Sequence, residues 1–500
     1  MMDIHEMSAV QIRKLMGAHA LSPFEIMQHF ISRIELLNPL LVAFCDTRFE
    51  AALDEARAAE KQLMRADVLP PLFGLPIGIK DMNDVAGLRT TYGSELYCNN
   101  VAKSDEFIVK HLKQQGAIVV GKTNVPELGF GATSSNPLWG TTCNPHNISY
   151  TAAGSSGGTA VALAAGLVPL GMGSDFAGSL RTPASFNGIT GIRPSTGTVS
   201  SKRRAFGFSP FNVEGPMGRN ARDARLLLGA MASAEVFDPL AYPRDTLFDY
   251  APRIVDLAGL RIAISEDLGF APVDNAVRVD FRHKMKIVSQ WFASADVDNP
   301  DLSLVESTLE VMRSLEFVHD FKAIYDKDKE SLAENVQYEV ERAMQLNIED
   351  VARATGDHSR IHRQSQAFFE NYDLLITPAA SVSPFRHEEL WPREINGETM
   401  SNYLRWEAIA YGVTLMGNPS VVIPAGTGPT GLPTGIQLIG RLHSDARLSE
   451  IAVALEDMFE TDELLRQPRP DLYALETLAK SPESRHNQNQ NQDRSNIRKP

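Results

Sequence analysis

The stretch that decides the fold runs from Gly154 to Pro194 and reads GSSGGTAVALAAGLVPLGMGSDFAGSLRTPASFNGITGIRP. It contains two serine positions, Ser155-Ser156 and Ser179, separated by small residues and an apolar run. The small neighbours Ala177 and Gly178 would allow a carbonyl group to approach the backbone beside Ser179 closely. The stretch therefore predicts a nucleophilic serine in a tightly packed loop.

A lysine lies far upstream, Lys80 in the apolar segment GLPIGIKDMND (74–84). An amine can act as a base only when it is neutral, so the pKa of Lys80 would have to fall far below its reference of about 10.4. The apolar flank Leu75–Ile79 predicts the burial that lowers this pKa. The neighbouring Asp81 would oppose the shift if its carboxylate faced the ammonium group. Serine–lysine pairs are an established variant of the catalytic triad.

Together these residues resemble the amidase signature family, serine hydrolases that cut amide bonds with a Ser–Ser–Lys arrangement and no histidine. Matching segments run from about Gly74 to Arg441 and include Gly417-Asn418-Pro419 and residues 431–441, which we interpret as sheet scaffolding. The resemblance implies Ser179 as nucleophile, Ser155 (24 positions earlier) as proton relay and Lys80 as base. It also implies an oxyanion hole made by the backbone N–H groups of Phe176, Ala177, Gly178 and Ser179. Such donors are typically worth about 3–4 kcal/mol each.

Other residues are expected to support this site. Ser156 and Thr182 would support it by hydrogen bonding, and Asp175 and Arg181 would pair to hold the nucleophile loop. Phe130, Phe176 and an insert at 311–345 would line the substrate pocket. No metal or organic cofactor is implied.

Three segments depart from the family pattern. Ala177 stands where a second glycine is usual, and a positive φ there would cost on the order of 1 kcal/mol. Ala152-Ala153 precede Gly154 where glycines are usual, and Asn187 stands where a cysteine is frequent. These departures concern substrate geometry more than the three catalytic side chains.

The composition of the 500 residues is that of an ordinary globular protein, with 43% apolar and 22% charged residues. A net charge of −14 argues against a general binder of nucleic-acid backbones, which needs a basic face. The uncharged apolar run at 159–174 is shorter than the roughly 20 residues of a membrane-spanning helix. With no signal peptide at the start, the prediction is a soluble, cytoplasmic protein. Its three cysteines, Cys45, Cys98 and Cys143, are expected to be idle thiols, with a nucleophilic Cys143 as the alternative.

The chain is predicted to be α/β, with one large mixed β-sheet and helices on both faces. Residues 1–70 read as an N-terminal helical arm in which Ser22-Pro23-Phe24-Glu25 forms a capping box. Residues 71–480 would form the amidase signature domain, with a helical insert at about 303–369, and 481–500 a disordered polar tail. Short β-branched runs alternate with helices from Gly74 onward and predict strands, for example IGIK, AIVVGK, RIAIS, DLLITP, SVVIP and GIQLIG.

Three short patterns suggest other chemistry. Residues 116–123 match the phosphate-loop pattern GxxxxGK[ST], but the interval is β-branched and predicts a strand. Residues 154–158 fit the nucleophile elbow GxSxG, which would make Ser156 the nucleophile, although the strand signal before it is weak. His358 and His362 have the i, i+4 spacing of a metal-binding pair but lack the intervening glutamate of a zinc protease.

We therefore predict an amidohydrolase that releases an acid and ammonia or an amine through an acyl-Ser179 intermediate. The partner is a small-molecule amide, with no nucleic acid or membrane, and a homodimer is left open. One alternative is the glutamine-hydrolysing A subunit of a tRNA-dependent amidotransferase, although FGFSPFNVEGPMGRN (206–220) lacks the pattern usual in that branch. Another is a catalytically silent member that keeps the fold for binding.

Overall fold

The computed structural model describes residues 3–65, 68–202, 204, 206–242 and 252–481. Eleven of the described strands form one mixed sheet in the order β1-β3-β2-β8-β10-β9-β16-β17-β13-β11-β12. The described strands are β1 (Phe44–Thr47), β2 (Pro76–Lys80), β3 (Ile118–Thr123), β4 (Ser135–Asn136), β5 (Gly140–Thr141), β6 (Cys143–Asn144), β7 (Asn147–Thr151), β8 (Leu170–Asp175), β9 (Thr190–Arg193), β10 (Val213–Gly218), β11 (Arg261–Ile264), β12 (Ser294–Val297), β13 (Leu374–Pro378), β14 (Glu394–Ile395), β15 (Glu398–Thr399), β16 (Ser420–Thr427) and β17 (Pro433–Ile439).

Helices cover both faces of this sheet, as predicted. The described α-helices are α1 (Ala9–Gly17), α2 (Pro23–Leu41), α3 (Phe49–Leu63), α4 (Phe107–Gln114), α5 (Gly157–Ala164), α6 (Arg181–Asn187), α7 (Ala221–Met231), α8 (Asn275–Val288), α9 (Val305–Asp328), α10 (Glu334–Ala343), α11 (Ile348–Phe368), α12 (Ala408–Met416), α13 (Asp445–Phe459) and α14 (Leu472–Ala479). Because side chains alternate along a strand, each core strand supplies two hydrophobic layers. In β16, Val421 and Ile423 belong to one buried cluster and Val422 to the other.

The six predicted runs all fall on observed strands, namely β2, β3, β11, β13, β16 and β17. The predictions missed the central strands β8, β9 and β10, which are rich in glycine. A side chain at Gly173 would lie 2.6 Å from Ser156 Oγ, and one at Gly215 would lie 2.3 Å from the Ile192 carbonyl oxygen. Glycine occurs at these positions because neighbouring atoms lie too close to the backbone for a side chain. Glycine also has a low strand propensity, so the sequence predicts these strands poorly.

The predicted N-terminal arm contributes to the main sheet. Ser22 Oγ accepts a hydrogen bond from the Glu25 N–H at 3.1 Å and caps α2, whose first residue is Pro23. Among the described hydrogen bonds, the reciprocal one from the Ser22 N–H to the Glu25 side chain is missing, so the predicted capping box is half formed. Between α2 and α3, β1 pairs antiparallel with β3 at one edge of the sheet.

The predicted insert at 303–369 consists of the three helices α9, α10 and α11. Within the described ranges, no helix is both long and apolar enough to cross a membrane. Apart from Ser481, the tail predicted to be disordered lies outside the described residues.

Candidate active site

Lys80 is the last residue of β2, in the interior of the sheet. Its side chain is fully buried, and its Nζ lies 2.7 Å from Ser155 Oγ and 2.9 Å from Ser174 Oγ. Ser174 belongs to β8, the strand beside β2. The lysine and the proposed relay serine, 75 positions apart, are thus in direct contact.

Ser155 and Ser156 lie in the loop that leads into α5, where their side chains have different surroundings. Ser156 is fully buried, and its hydroxyl donates to the Ser174 carbonyl oxygen at 3.3 Å. The strand before this loop, β7, pairs with β6 and lies outside the main sheet. This geometry disfavours the nucleophile-elbow alternative, because Ser156 is inaccessible.

Ser179 lies between β8 and α6 and is half-buried. It lines the same cavity as Lys80 and Ser155. In the described part of the chain, no hydrogen bond joins the hydroxyl groups of Ser155 and Ser179. The Ser156 N–H donates to the Ser179 carbonyl oxygen at 3.2 Å, so the two serine loops are tied through their backbones.

Three backbone carbonyl groups in the loop that carries Ser179 accept hydrogen bonds from neighbouring groups. The Asp175 carbonyl accepts from Arg193, the Phe176 carbonyl from Thr414 Oγ1, and the Gly178 carbonyl from the Thr182 N–H. In a trans peptide the C=O and the following N–H point in opposite directions. The N–H groups of Phe176, Ala177 and Ser179 therefore point away from these anchors.

Gly178 differs from the other three predicted oxyanion-hole residues. Its N–H donates to Asp175 Oδ1 at 3.0 Å, so this N–H is already engaged within the loop. Its φ is +126°, and a Cβ at this position would lie 2.8 Å from both Ala410 Cβ and Glu407 Oε2. Ala177 is absent from the described residues with positive φ. The loop therefore requires glycine at 178 and accepts the alanine at 177.

The other two departures also have local explanations. Ala153 has a φ of +60°, so alanine occupies a left-handed position here that glycine would adopt more easily. The Asn187 side chain donates to the carbonyl oxygens of Ala152 (2.9 Å) and Pro183 (2.8 Å). Asn187 thus links α6 to the loop that carries Ser155.

Asp175 forms the buried anchor of the nucleophile loop. It pairs with Arg181 at 2.8 Å and with Arg193 at 3.2 Å, and it also accepts from the Leu180 N–H at 3.0 Å. Burial alone would raise the pKa of this carboxyl, but the two guanidinium groups hold it well below its usual range. The carboxylate is therefore ionised, and its bonds fix the loop before and after Ser179.

Asp81 is directed away from Lys80. Its carboxylate accepts from Lys122 Nζ at 2.8 Å and from Thr91 Oγ1 at 2.5 Å, and the ion pair is almost fully buried. Lys122 belongs to β3, whose residues pair with β2 and β1. The residues that match the phosphate-loop pattern therefore form a strand of the sheet, and their lysine, Lys122, forms an ion pair with Asp81.

A cavity of about 410 Å³ opens above Lys80, Ser155 and Ser179. One wall is aromatic, with the Phe130 ring centroid 4.4 Å from that of Phe317 and 5.7 Å from that of Phe321. The predicted lining residues Phe130 and Phe176 both reach the cavity, together with the 311–345 segment through Arg313, Glu316, Phe317, Asp320 and Phe321.

Two carboxyls on the cavity wall, buried Glu407 and half-buried Glu316, were not predicted. Burial raises the pKa of Glu407 to about 8, despite a 2.8 Å hydrogen bond from Thr182 Oγ1. Burial also raises the pKa of Glu316 to about 7, although Ser209 donates to it at 2.5 Å. Neither residue lies within a recognisable sequence pattern. Glu407 immediately precedes α12, and no signal in the sequence marks it.

The remaining candidates are not part of the cavity. Burial and Glu388 raise the pKa of Cys143 to about 11, which disfavours a nucleophilic thiolate. His358 is half-buried, and its partial burial lowers its pKa. His362 Nδ1 lies 2.9 Å from the Met416 carbonyl oxygen. Across the described residues, no cluster of three or more histidine, cysteine, aspartate or glutamate side chains could hold a metal ion.

Comparison with known proteins agrees with this geometry. A family model described as Amidase matches residues 25–448. The chain belongs to the amidase family. An acylamidase from Rhodococcus erythropolis is 32% identical over 463 residues, which cover 91% of this chain and 96% of that protein.

Other similar proteins carry different names. The A subunit of a glutamyl-tRNA(Gln) amidotransferase from Alkaliphilus metalliredigens is 29% identical, covering 91% of this chain and 97% of that protein. Among solved structures, a bacterial aryl acylamidase of the amidase signature family superposes with a TM-score of 0.85 at 24% identity. The superposition covers 96% of this chain and 99% of the aryl acylamidase chain. That likeness shows the shared fold, and the relatives together support amide hydrolysis as the general chemistry.

Proposed function

We propose that this amidase hydrolyses linear carboxylic amides to an acid and ammonia or an amine through an acyl-Ser179 intermediate. The observation that carries the proposal is the 2.7 Å contact between Lys80 Nζ and Ser155 Oγ at the floor of a cavity that half-buried Ser179 also lines. A buried amine next to a hydroxyl, with an accessible serine beside them, is the arrangement that serine–lysine catalysis needs.

Acylation then proceeds with two linked proton transfers. Ser179 Oγ attacks the amide carbonyl carbon while its proton passes to Ser155 Oγ, and the Ser155 proton passes to neutral Lys80, which becomes an ammonium. When the C–N bond breaks, the leaving nitrogen takes a proton from Ser155, and Lys80 returns one to Ser155. Water enters by the same route and hydrolyses the ester.

The negative charge that develops on the carbonyl oxygen needs hydrogen-bond donors. The N–H groups of Phe176, Ala177 and Ser179 fill this role, since their peptide carbonyls are anchored on the opposite side. The N–H of Gly178 stays with Asp175, so Gly178 acts by shaping the loop. Preorganised donors of this kind need no rearrangement during the reaction.

The aromatic wall suggests an apolar or aryl group on the substrate. Phe130, Phe317 and Phe321 form a contiguous ring cluster at one side of the cavity. Aromatic contacts of this type favour another ring by about 0.5–1.5 kcal/mol beyond the area buried. Anilides and arylalkyl amides should therefore be better substrates than acetamide.

A fluorophosphonate probe tests the nucleophile without knowledge of the substrate. We expect one adduct on Ser179, located by peptide mass spectrometry, that is lost in Ser179→Ala. The labelling rate should fall about 10²–10⁴-fold in Lys80→Met, because the base is removed. Loss of Ser179 should likewise abolish hydrolysis of a panel of anilides and aliphatic amides. An adduct on Ser156, or a normal rate in Lys80→Met, would contradict the mechanism.

A second candidate is an ammonia-producing amidotransferase component. It is favoured by the 29% identity to the Alkaliphilus metalliredigens amidotransferase chain over almost its full length. Glutaminase activity that appears only with a partner chain would support this candidate, whereas amide hydrolysis by the isolated chain would support the first.

A further inference from the structure

Glu407 is a buried carboxyl on the cavity wall that the proposed reaction does not use. It is 6% exposed and immediately precedes α12. None of the described ion pairs includes Glu407. Its described hydrogen bond comes from a neutral group, the Thr182 hydroxyl, which donates to Oε2 at 2.8 Å. A buried carboxyl without a paired cation avoids the cost of a buried charge by keeping its proton.

The guanidinium group of Arg181 attracts a charge on Glu407, but its N–H groups are bonded to other acceptors. They donate to Asp175 at 3.0 and 2.8 Å, to the Ala410 carbonyl oxygen at 2.6 Å and to Gln437 Oε1 at 2.8 Å. The Asp175 carboxylate repels a second negative charge. Burial is the largest effect and raises the pKa of Glu407 to about 8, so the carboxyl is uncharged at neutral pH.

Glu407 packs directly against the loop that carries Ser179. A Cβ built on Gly178 would lie 2.8 Å from Glu407 Oε2. Thr182, whose hydroxyl donates to the same oxygen, also donates its N–H to the Gly178 carbonyl oxygen at 2.8 Å. Gly178 separates Ala177 from Ser179, and both of these residues line the cavity together with Glu407. The carboxyl therefore lies beside the backbone that is proposed to bind the oxyanion.

Other charged and titratable groups surround Glu407 on its own segment and on the helices packed against it. They are Tyr403, Arg405 and Tyr411 on its own segment, Arg313, Glu316 and Asp320 on α9, and His358 and His362 on α11. Burial raises the pKa values of both tyrosines, which stay protonated while Glu407 titrates. Burial raises the pKa of Glu316 to about 7, so this carboxyl titrates in a similar range and needs its own control.

We propose that Glu407 is a positioning residue that supports the reaction as an uncharged acid and slows it when ionised. This inference rests on the proposed function. As a neutral group, Glu407 accepts from Thr182 and holds the loop around Gly178 in place. As a carboxylate it would put a negative charge beside the oxyanion hole, and like charges repel strongly where water is excluded. The ionised form should therefore destabilise the transition state, in which the carbonyl oxygen becomes negative.

The test is the rate of Ser179 labelling by the fluorophosphonate probe from pH 6 to pH 10, followed by intact-protein mass spectrometry. Attack on the probe also builds negative charge on an oxygen, the one bound to phosphorus. Lys80 must lose its proton to act as the base, which gives the rate profile an acid limb, and ionisation of Glu407 adds an alkaline limb. The wild-type rate should therefore fall about 10-fold or more between its maximum and pH 10.

Two substitutions of Glu407 separate its charge from its shape. Glu407→Gln keeps the shape and can still accept from Thr182, but it cannot ionise. Its labelling rate should reach a plateau and stay there up to pH 10, so that the alkaline limb is absent. Glu407→Asp can still ionise and should keep an alkaline limb.

Two further variants are the controls. Glu316→Gln removes the other cavity carboxyl that titrates in this range, and Glu456→Gln removes a buried carboxyl that does not line the cavity. Glu456 is matched to Glu407 because it also accepts from a threonine hydroxyl, that of Thr190, and burial raises its pKa to about 7. Both controls should keep the wild-type alkaline limb. Thermal melting at each pH checks that every variant is folded.

The outcomes distinguish this inference from the proposed function. A wild-type profile without an alkaline limb, an unchanged limb in folded Glu407→Gln, or an equal loss of the limb in either control overturns the role of Glu407 alone. If wild-type Ser179 is not labelled at any pH, the proposed function fails and this inference fails with it.

Discussion

At the scale of single residues, the position of one glycine determines the geometry of the nucleophile loop. The usual family pattern led us to ask whether residue 177 needs a positive φ, and the structure assigns that conformation to Gly178 instead. The difference has a steric cause, because Glu407 and Ala410 of a distant segment press on Gly178. No local pattern in the sequence reports that contact.

We predict that Gly178→Ala lowers stability by about 1–3 kcal/mol and slows Ser179 labelling, because the new methyl group meets Ala410 and Glu407 at a strained φ. Ala177→Gly is the control and should label at nearly the wild-type rate. Thermal melting and labelling kinetics measure both effects. Equal behaviour of the two variants would show that the loop does not depend on glycine at 178.

The buried Glu407 predicts a stability change with pH. Its pKa is raised to about 8 in the folded state, so the folded protein holds a proton that the unfolded chain releases near pH 4.5. The folded state therefore loses stability as pH rises from about 4.5 to 8. Glu407→Gln removes this loss and can still accept from Thr182. Its stability relative to wild type should improve by on the order of 3 kcal/mol between pH 5 and pH 8. Urea unfolding at both pH values measures this, and a pH-independent difference would contradict the protonated carboxyl.

At the scale of elements, the floor and the walls of the site come from different parts of the chain. The floor comes from the sheet, through Lys80 on β2 and Ser174 on β8. Two of the three rings of the aromatic wall come from α9, where Phe317 and Phe321 lie one turn apart, share a face and pack on Phe130.

Phe317→Ala should therefore weaken binding of an anilide while sparing the chemistry. We expect the KM for an anilide to rise about 10-fold with kcat changed little, since an aromatic contact is worth about 0.5–1.5 kcal/mol beyond its area. The KM for acetamide, which does not reach the wall, serves as the internal control. A fall in kcat with both substrates would instead show that Phe317 supports the reacting groups at the floor of the cavity.

The parts of the site that could be predicted are those carried by short, contiguous sequence. Ser155, Ser179 and Lys80 were identified by resemblance, and the β-branched strands by their composition. Ser174 and Glu407 were missed because their positions depend on strand pairing and helix packing between distant segments. Strands β8 to β10 were missed because close packing selects glycine, which has a low strand propensity.

At the scale of the whole molecule, α2 near the start of the described chain meets α14, the last described α-helix. Arg33 of α2 donates to Glu476 of α14 at 2.7 Å and to the carbonyl oxygens of Ala165 and Gly166 at 3.0 Å each. Apolar residues of α1 and α2 share a buried cluster with β2. The boundary near residue 70 therefore marks a change in the sequence pattern, from helical to strand-rich. Whether it also separates two folding units stays a prediction.

We predict that the arm and the sheet unfold together. Arg33→Met leaves two buried carbonyls and Glu476 without their donor, and should lower stability by about 2–4 kcal/mol. Differential scanning calorimetry should show one transition in the wild type and one, at lower temperature, in the variant. Arg57→Met removes an exposed Asp54 pair and should leave the transition unchanged within error. Two separate transitions would identify the arm as an independent unit.

The separation between a sheet-borne floor and a helical wall bears on how this protein could be re-engineered. Random mutagenesis of the entire chain would mostly damage buried strands whose glycines tolerate no side chain. A small combinatorial library at the cavity-facing positions of α9, such as Phe317 and Phe321, would vary the accepted amide and leave the reacting groups untouched. New selectivity should therefore arise with few substitutions and little loss of folded yield.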